Sequence, residues 1–191
     1  MNVGEEEMIE AAHALFKQRG IRSTRMEHVA RACGTSLWDI NLKFKSKKEL
    51  VLAIIRHNVN KKTAYLLISS SLSPSAVTEL NTFFRFVDET IEALGAGVLT
   101  EMKRYQPLAI DQIKYIVDDT LIPWLEKNLQ RGLSEGFYRA ELDSELYSST
   151  YFYIIRTVIE SERDWFQTKK AVAHINEIFL HGVLNMKGMR V

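Results

Sequence analysis

An all-α chain is what this sequence predicts, and three observations carry that expectation. Apolar residues recur at helical spacing from end to end, only three prolines occur in 191 residues, and no alternating stretch makes a convincing strand. About nine helices follow, a short N-terminal set of three and a longer set behind it. With 46% hydrophobic and 26% charged residues the composition is that of an ordinary globular protein, long enough to bury a sizeable core.

The first helix runs through Ile9–Phe16 and ends at Gly20-Ile21, with Glu5, Glu6 and Glu7 suited to its positive end. Thr24 and Glu27 match a T-x-x-E capping box at the start of the second. In that helix Met26, Val29, Ala30 and Cys33 share one apolar face. Gly34 is the residue best able to end it in a left-handed conformation. Ser36 caps the third helix, where Leu37, Ile40 and Phe44 again fall on one side. The turn between them is three or four residues long, as a helix-turn-helix requires.

A fourth helix begins at Lys47 and reaches about Ser70, closed by a serine-rich stretch and Pro74. A fifth covers about Ser75 to Leu94 and is broken by Gly95-Ala96-Gly97; a short sixth ends near Tyr105, before Pro107. The seventh is expected from about Pro107 to Ser134 and is closed by Gly136. The eighth and ninth are expected over about Ser144–Arg163 and Thr168–Lys187.

Charge sharpens the reading. Residues 1–62 have a balance of +5 and residues 63–191 one of −4, within a net charge of +1. Between 17 and 48 there are nine Lys/Arg against only Glu27 and Asp39. A basic excess beside a helix-turn-helix suits a polyphosphate partner. The single cysteine, Cys33, excludes an internal disulfide and is expected as a packing residue. The N-terminus has no apolar signal segment, and no stretch approaches the roughly 18 apolar residues that span a bilayer, so a cytoplasmic location without membrane contact is expected.

The N-terminal third resembles the DNA-binding domain of the tetracycline-repressor (TetR) family. The resemblance rests on Ile9–Phe16, Gly20-Ile21, Thr24, Met26, Val29-Ala30, Ala32, Gly34-Thr35-Ser36 and Phe44–Leu50. It implies a helix-turn-helix domain over residues 1–46 and a helical ligand-binding and dimerisation domain over 47–191. Two positions depart from the family pattern: Trp38 stands where a small residue is usual, and Asn41 where a phosphate-contacting tyrosine is usual. They motivate an alternative, a helical small-molecule-binding protein of the same fold without specific DNA recognition.

By this reading the third helix enters the major groove of a duplex operator. Lys43, Lys45, Lys48, Arg22 and Arg25 meet phosphates, with Lys47 foremost by resemblance, and Thr35 and Ser36 lie where the helix start meets the backbone. Asn41 suits adenine, Asp39 suits cytosine, and Leu37 or Trp38 suits a thymine methyl. Leu37 and Trp38 have a packing alternative, and Asp39 an orienting one. Resemblance further implies an effector cavity; Phe83, Met102, Tyr105, Ile116, Thr120, Trp124 and Tyr151 are its expected wall, for an apolar or aromatic molecule. A homodimer is expected through Phe152, Ile155 and Ile159 of the eighth helix with Val172, Ile175, Phe179, Gly182, Val183 and Met186 of the ninth. The alternative is that these faces close the protomer's own core.

No catalytic function is expected. The five histidines make no H-x-x-x-H or H-E-x-x-H pattern, and there is neither a nucleophile elbow nor a phosphate-binding glycine loop. His174 and Glu177 read as a solvated helix face. No cofactor and no metal site are expected.

Overall fold

The computed structural model describes residues 3–104 and 108–190. They form α1 (Glu5–Arg19), α2 (Met26–Ala32), α3 (Leu37–Lys43), α4 (Lys47–Ser70), α5 (Ala76–Arg104), α6 (Leu108–Ile116), α7 (Ile122–Ser134), α8 (Ser144–Glu160) and α9 (Trp165–Val183). A π-helical turn, Val117–Leu121, joins α6 to α7, and a 3-10 turn, Gly188–Arg190, follows α9. The extended backbone among the described residues amounts to an isolated bridge between Tyr138 and Leu184.

Two apolar cores share the long helices. The first, the head core, gathers Met8, Ile9, Ala12 and Phe16 of α1, Val29 and Ala30 of α2, Ile40 of α3 and Phe44 behind it. It also takes Leu50–Ile55 of α4, the end of α5 (Leu94, Val98, Leu99, Met102), and Ala109 and Ile110 of α6. The second, the body core, is built on the start of α5 with α7, α8 and α9. α4 passes through both. Six consecutive residues, Leu50 to Ile55, are buried, as a helix enclosed on every side requires; beyond them only Val59, Thr63, Leu66 and Ser70 are buried, one face of a half-covered helix.

Two interruptions have local causes. Gly95 takes φ +75°, ψ 164° inside α5 and kinks it, as the glycine pair predicted. The Leu94 carbonyl at that kink lies 3.3 Å from His13 Nε2 of α1. The seventh helix, expected as one piece, is split by the π turn. Pro123 at the start of α7 has no N–H to donate and its ring crowds the carbonyl four residues back, so the helix widens there. α8 starts at Ser144 as expected, capped by Asp143, which accepts the Leu146 N–H (3.0 Å), whereas α9 starts at Trp165, earlier than expected, because Asp164 caps it by accepting the Gln167 N–H (2.8 Å). Both helices stop a few residues before the expected bounds.

The start of α5 is fixed by a polar cluster rather than by apolar packing alone. Glu135 accepts the Ala76 N–H at 2.8 Å, and Asn128 donates to the Ala76 carbonyl at 2.9 Å. The buried Tyr138 hydroxyl stands 3.0 Å from both that carbonyl and Asn128 Oδ1, and burial pushes its pKa up. Arg131 bridges Glu79 (3.2 Å) and Glu135 (2.6 Å). Gly132 admits the Tyr138 ring: a Cβ there would stand 2.0 Å from it. Among the described residues no helix is long and apolar enough to cross a membrane.

Candidate nucleic-acid interface

The turn between α2 and α3 is closed by its own backbone. Gly34 has φ +65°, the left-handed region, and the Thr35 N–H reaches back to the Ala30 carbonyl at 3.0 Å. Ser36 then caps α3 as expected, its Oγ accepting the Asp39 N–H at 3.1 Å. Asp39 answers: its Oδ2 accepts from Ser36 Oγ (2.6 Å), Thr35 Oγ1 (2.9 Å) and Ser36 N–H (3.2 Å). The Ser36 and Thr35 hydroxyl bonds hold the carboxyl below the usual aspartate range. One oxygen of Asp39, expected at a cytosine edge, is therefore committed to the turn.

The start of α2 corrects the expected capping box. Thr24 is fully buried and its hydroxyl donates to the Gly20 carbonyl at 2.8 Å, so it is unavailable as a cap. Arg25 takes the cap position, with its N–H directed to His28 Nδ1 at 3.1 Å. Lys47 completes this corner. Its ammonium donates to the Ile21 and Thr24 carbonyls, both at 2.8 Å, tying the α1–α2 loop to the first turn of α4. An ammonium carries three donors, so one is left for a phosphate.

α3 itself is two-sided. Ile40 (0% exposed) and Phe44 (3%) anchor it in the head core. Outward stand Trp38 (69% exposed), Leu42 (60%), Leu37 (36%), Asn41 and Lys43. Leu37 is thus not core, and Trp38 does not pack beneath α1. Leu42 escaped the sequence reading, since helical spacing says which residues can be buried together but not that a leucine is left out. Arg22, Arg25 and Lys45 are exposed as well. Cys33 is half-buried against the head core and burial pushes its thiol pKa up, consistent with packing.

The expected effector wall is divided by the structure. Phe83, Ile116, Trp124 and Tyr151 meet in the body core, Phe83 stacking on Trp124 at 5.0 Å and lying 5.5 Å from Tyr151. These rings fill space rather than enclose it. Met102 belongs to the head core instead, Thr120 is half-buried in the π turn, and Tyr105 lies outside the described residues. A cleft of about 220 Å³ opens nearby, between the α6–π turn segment and α8. Ile113, Val117, Phe152 and Ile159 line it, with Lys114, Asp118 and Arg156 among its polar groups.

The expected dimer stripe is also corrected. Ile155, Val172 and Val183 are buried inside the protomer, and Phe152 and Ile159 pack against its core. For these five residues the periodicity identified the inward face of the protomer. The open side is a groove of about 510 Å³ between α8 and α9, where Ile175, Phe179 and Gly182 are joined by Leu146, Ile154 and Ile178. Met186, beyond α9, is exposed.

Comparison with known proteins agrees with this geometry. The family profile described as bacterial regulatory proteins, tetR family, matches residues 8–54. The chain is 29% identical over 167 residues to the HTH-type transcriptional repressor KstR2 of Mycobacterium tuberculosis, covering 84% of this chain and 80% of that protein. The structure of the ketosteroid transcriptional regulator KstR2 of Mycobacterium tuberculosis superposes with TM-score 0.56 at 20% identity, covering 94% of this chain and 94% of that one. A transcriptional regulator from Cytophaga hutchinsonii gives TM-score 0.73 at 16% identity, covering 94% of this chain and 98% of that one. The regulator FadR from Bacillus subtilis in complex with stearoyl-CoA gives 0.67 at 15%, covering 94% and 99%. Residues 8–54 thus form a helix-turn-helix domain of the tetR family of bacterial regulatory proteins, and with this helical body behind it the chain is similar over most of its length to a transcriptional repressor of that construction.

Proposed function

We propose that the chain is a repressor that binds a near-palindromic operator as a homodimer and leaves it when a small apolar or aromatic effector binds. The observation that carries this reading is the outer face of α3, where Trp38, Asn41, Leu42 and Lys43 stand exposed while Ile40 and Phe44 hold the helix rigidly from behind. The major groove accepts one such helix, and its thymine methyls suit apolar side chains while adenine suits Asn. The basic side chains around it supply sequence-independent attraction to phosphates.

A lone helix-turn-helix contacts too little DNA for one genomic site, so two copies reading half-sites roughly 34–36 Å apart are expected. The apolar groove between α8 and α9 supports a pairing face there, with the exposed Leu146, Ile154 and Ile178 among its lining. The effector is read from the body. KstR2 is a ketosteroid transcriptional regulator and FadR was captured with stearoyl-CoA, and both point to ligands with a large apolar part. Here the cleft beside the π turn is smaller than the ~300 Å³ lower end of ordinary ligand sites. A ligand would therefore enlarge it by displacing Phe152, which stands edge-on to Phe83 at 5.9 Å. A state with that cluster repacked binds ligand better and operator worse, and linkage makes the two effects reciprocal. α4, shared by both cores, is the element that transmits the change.

The test is selection of bound duplexes from a random pool at near-physiological salt, with the mass of the complex measured alongside. A recovered palindrome held by two chains is the expected result. A well-folded dimer that enriches no sequence would instead favour the binding protein without specific DNA recognition.

A further inference from the structure

A cleft of about 500 Å³ separates α1 from the middle of α4, and its side chains have no part in the reading above. Glu6 and Glu10 stand one helical turn apart on α1. Facing them is His57, which follows Leu50–Ile55 of the head core and precedes Val59 of the body core. Its Nε2 lies 3.9 Å from Glu6 Oε1 and 3.8 Å from Glu10 Oε1, and the three donor atoms all fall within 4.8 Å of one another. His57 is largely enclosed, at 18% side-chain exposure, whereas both carboxylates remain open to solvent.

We infer that Glu6, Glu10 and His57 form a divalent transition-metal site, best suited to Zn²⁺, that fastens α1 to α4. Two carboxylates and one imidazole are a donor set that such ions accept, with a further position left to water. With Zn–O and Zn–N bonds of about 2.0–2.2 Å, tetrahedral ligands stand roughly 3.4 Å apart. The two spacings to His57 need to close by only about half an ångström, and the Glu6–Glu10 spacing, within 4.8 Å, by at most about 1.4 Å, within the freedom of exposed glutamate side chains. The site already attracts a cation: the Lys61 ammonium sits 2.7 Å from Glu10 Oε1, and this contact pulls the Glu10 carboxyl below its usual range. Lys61 is 64% exposed, so it can swing into water when an ion takes its place. Pattern searches along the chain miss such a site because its ligands come from two helices far apart in sequence.

The consequence for regulation rests on the repressor reading. α1 supports the helix-turn-helix and α4 leads into the body, so an ion bridging them holds the head against the part that senses effector. Zn²⁺ should then shift operator affinity as well as protein stability.

The binding test uses the full-length protein without DNA, titrated with chelator-buffered Zn²⁺ and followed by calorimetry and by thermal unfolding. Saturable uptake of one ion per chain at this site is expected, with a rise in the unfolding midpoint. His57→Ala should abolish both, and Glu6→Gln/Glu10→Gln together should weaken uptake at least tenfold. Lys61→Met removes the competitor and should tighten uptake about two- to fivefold, the worth of one exposed ion pair. Absent uptake, or uptake and stabilisation that survive His57→Ala, would overturn the assignment. Because this titration contains no DNA, failure of the repressor reading would leave it unchanged.

Discussion

The two cores of this protein are built on different logic. The head core is almost wholly aliphatic apart from Phe16 and Phe44, and its turns are closed by backbone hydrogen bonds within a few residues, with Lys47 adding one longer tie to the α1–α2 loop. The body core centres on a cluster of rings, with Phe83 against Trp124, Tyr151 and Phe152, and on polar groups buried between distant segments. Tyr151 donates to Asn176 at 2.7 Å, and Asn176 donates to Asp88 at 3.2 Å. A core made by local turns holds a reading helix in one orientation. A core of large rings and long-range polar contacts has more ways to repack, which is what a sensing domain needs.

The largest expected effect lies at the centre of the body. Phe83→Ala removes a fully buried ring from the aromatic cluster and should lower stability by about 3–5 kcal/mol, read by urea unfolding. A drop under 1 kcal/mol would mean that the cluster is loosely packed even without ligand. Gly132→Ala tests the polar side of the same core. Its Cβ would overlap the Tyr138 ring, so a loss of about 1–3 kcal/mol or more is expected in the same assay.

Lys47 is the next comparison, since it serves the head in two ways. Lys47→Ala removes two charged hydrogen bonds to the α1–α2 loop, with an expected loss of about 1–3 kcal/mol in stability. If its third donor also meets a phosphate, the salt slope of DNA binding should fall by about one unit, equally for all sequences. Unchanged slope with lowered stability would confine Lys47 to the loop.

A smaller, pH-dependent effect is expected where α1 meets the kink of α5. Burial is the main cause holding His13 below the usual histidine pKa, while its contact with the Leu94 carbonyl opposes the shift. The unfolded chain therefore binds more protons than the folded one between the folded-state pKa and 6.5. Stability contributed by neutral His13 is full above that window and falls as pH drops through it. His13→Gln should flatten this part of the stability–pH curve; an identical curve in the variant would mean that other groups set it.

How much of this was legible in the sequence follows the same division. The helix-turn-helix was readable because its signals are local: Gly34, the Ser36 cap, and the apolar residues Val29, Ala30, Ile40 and Phe44 at fixed offsets. α4 was readable from Lys47 to Ser70 for the same reason. Thr24 failed as a cap because a competing bond to Gly20 lies four residues back, equally local but not ranked by spacing. The body was harder. Periodicity found Ile155, Val172 and Val183 but not which of two apolar faces turns inward, a choice made by neighbours such as Phe84 and Val87 on α5. Met102 seemed to belong with Phe83 until the Gly95 kink sent the second half of α5 into the head core.

The measurement closest to the central claim compares Trp38→Ala with the unaltered chain on two duplexes, the selected operator and an unrelated sequence, at one salt concentration. Trp38 is exposed, so the substitution should leave stability within about 0.5 kcal/mol. If the outer face of α3 reads bases, operator affinity should fall about tenfold or more while binding to the unrelated duplex stays the same. If both affinities stay at their original values, or fall together, Trp38 does not contribute to reading sequence and the assignment of that face is contradicted.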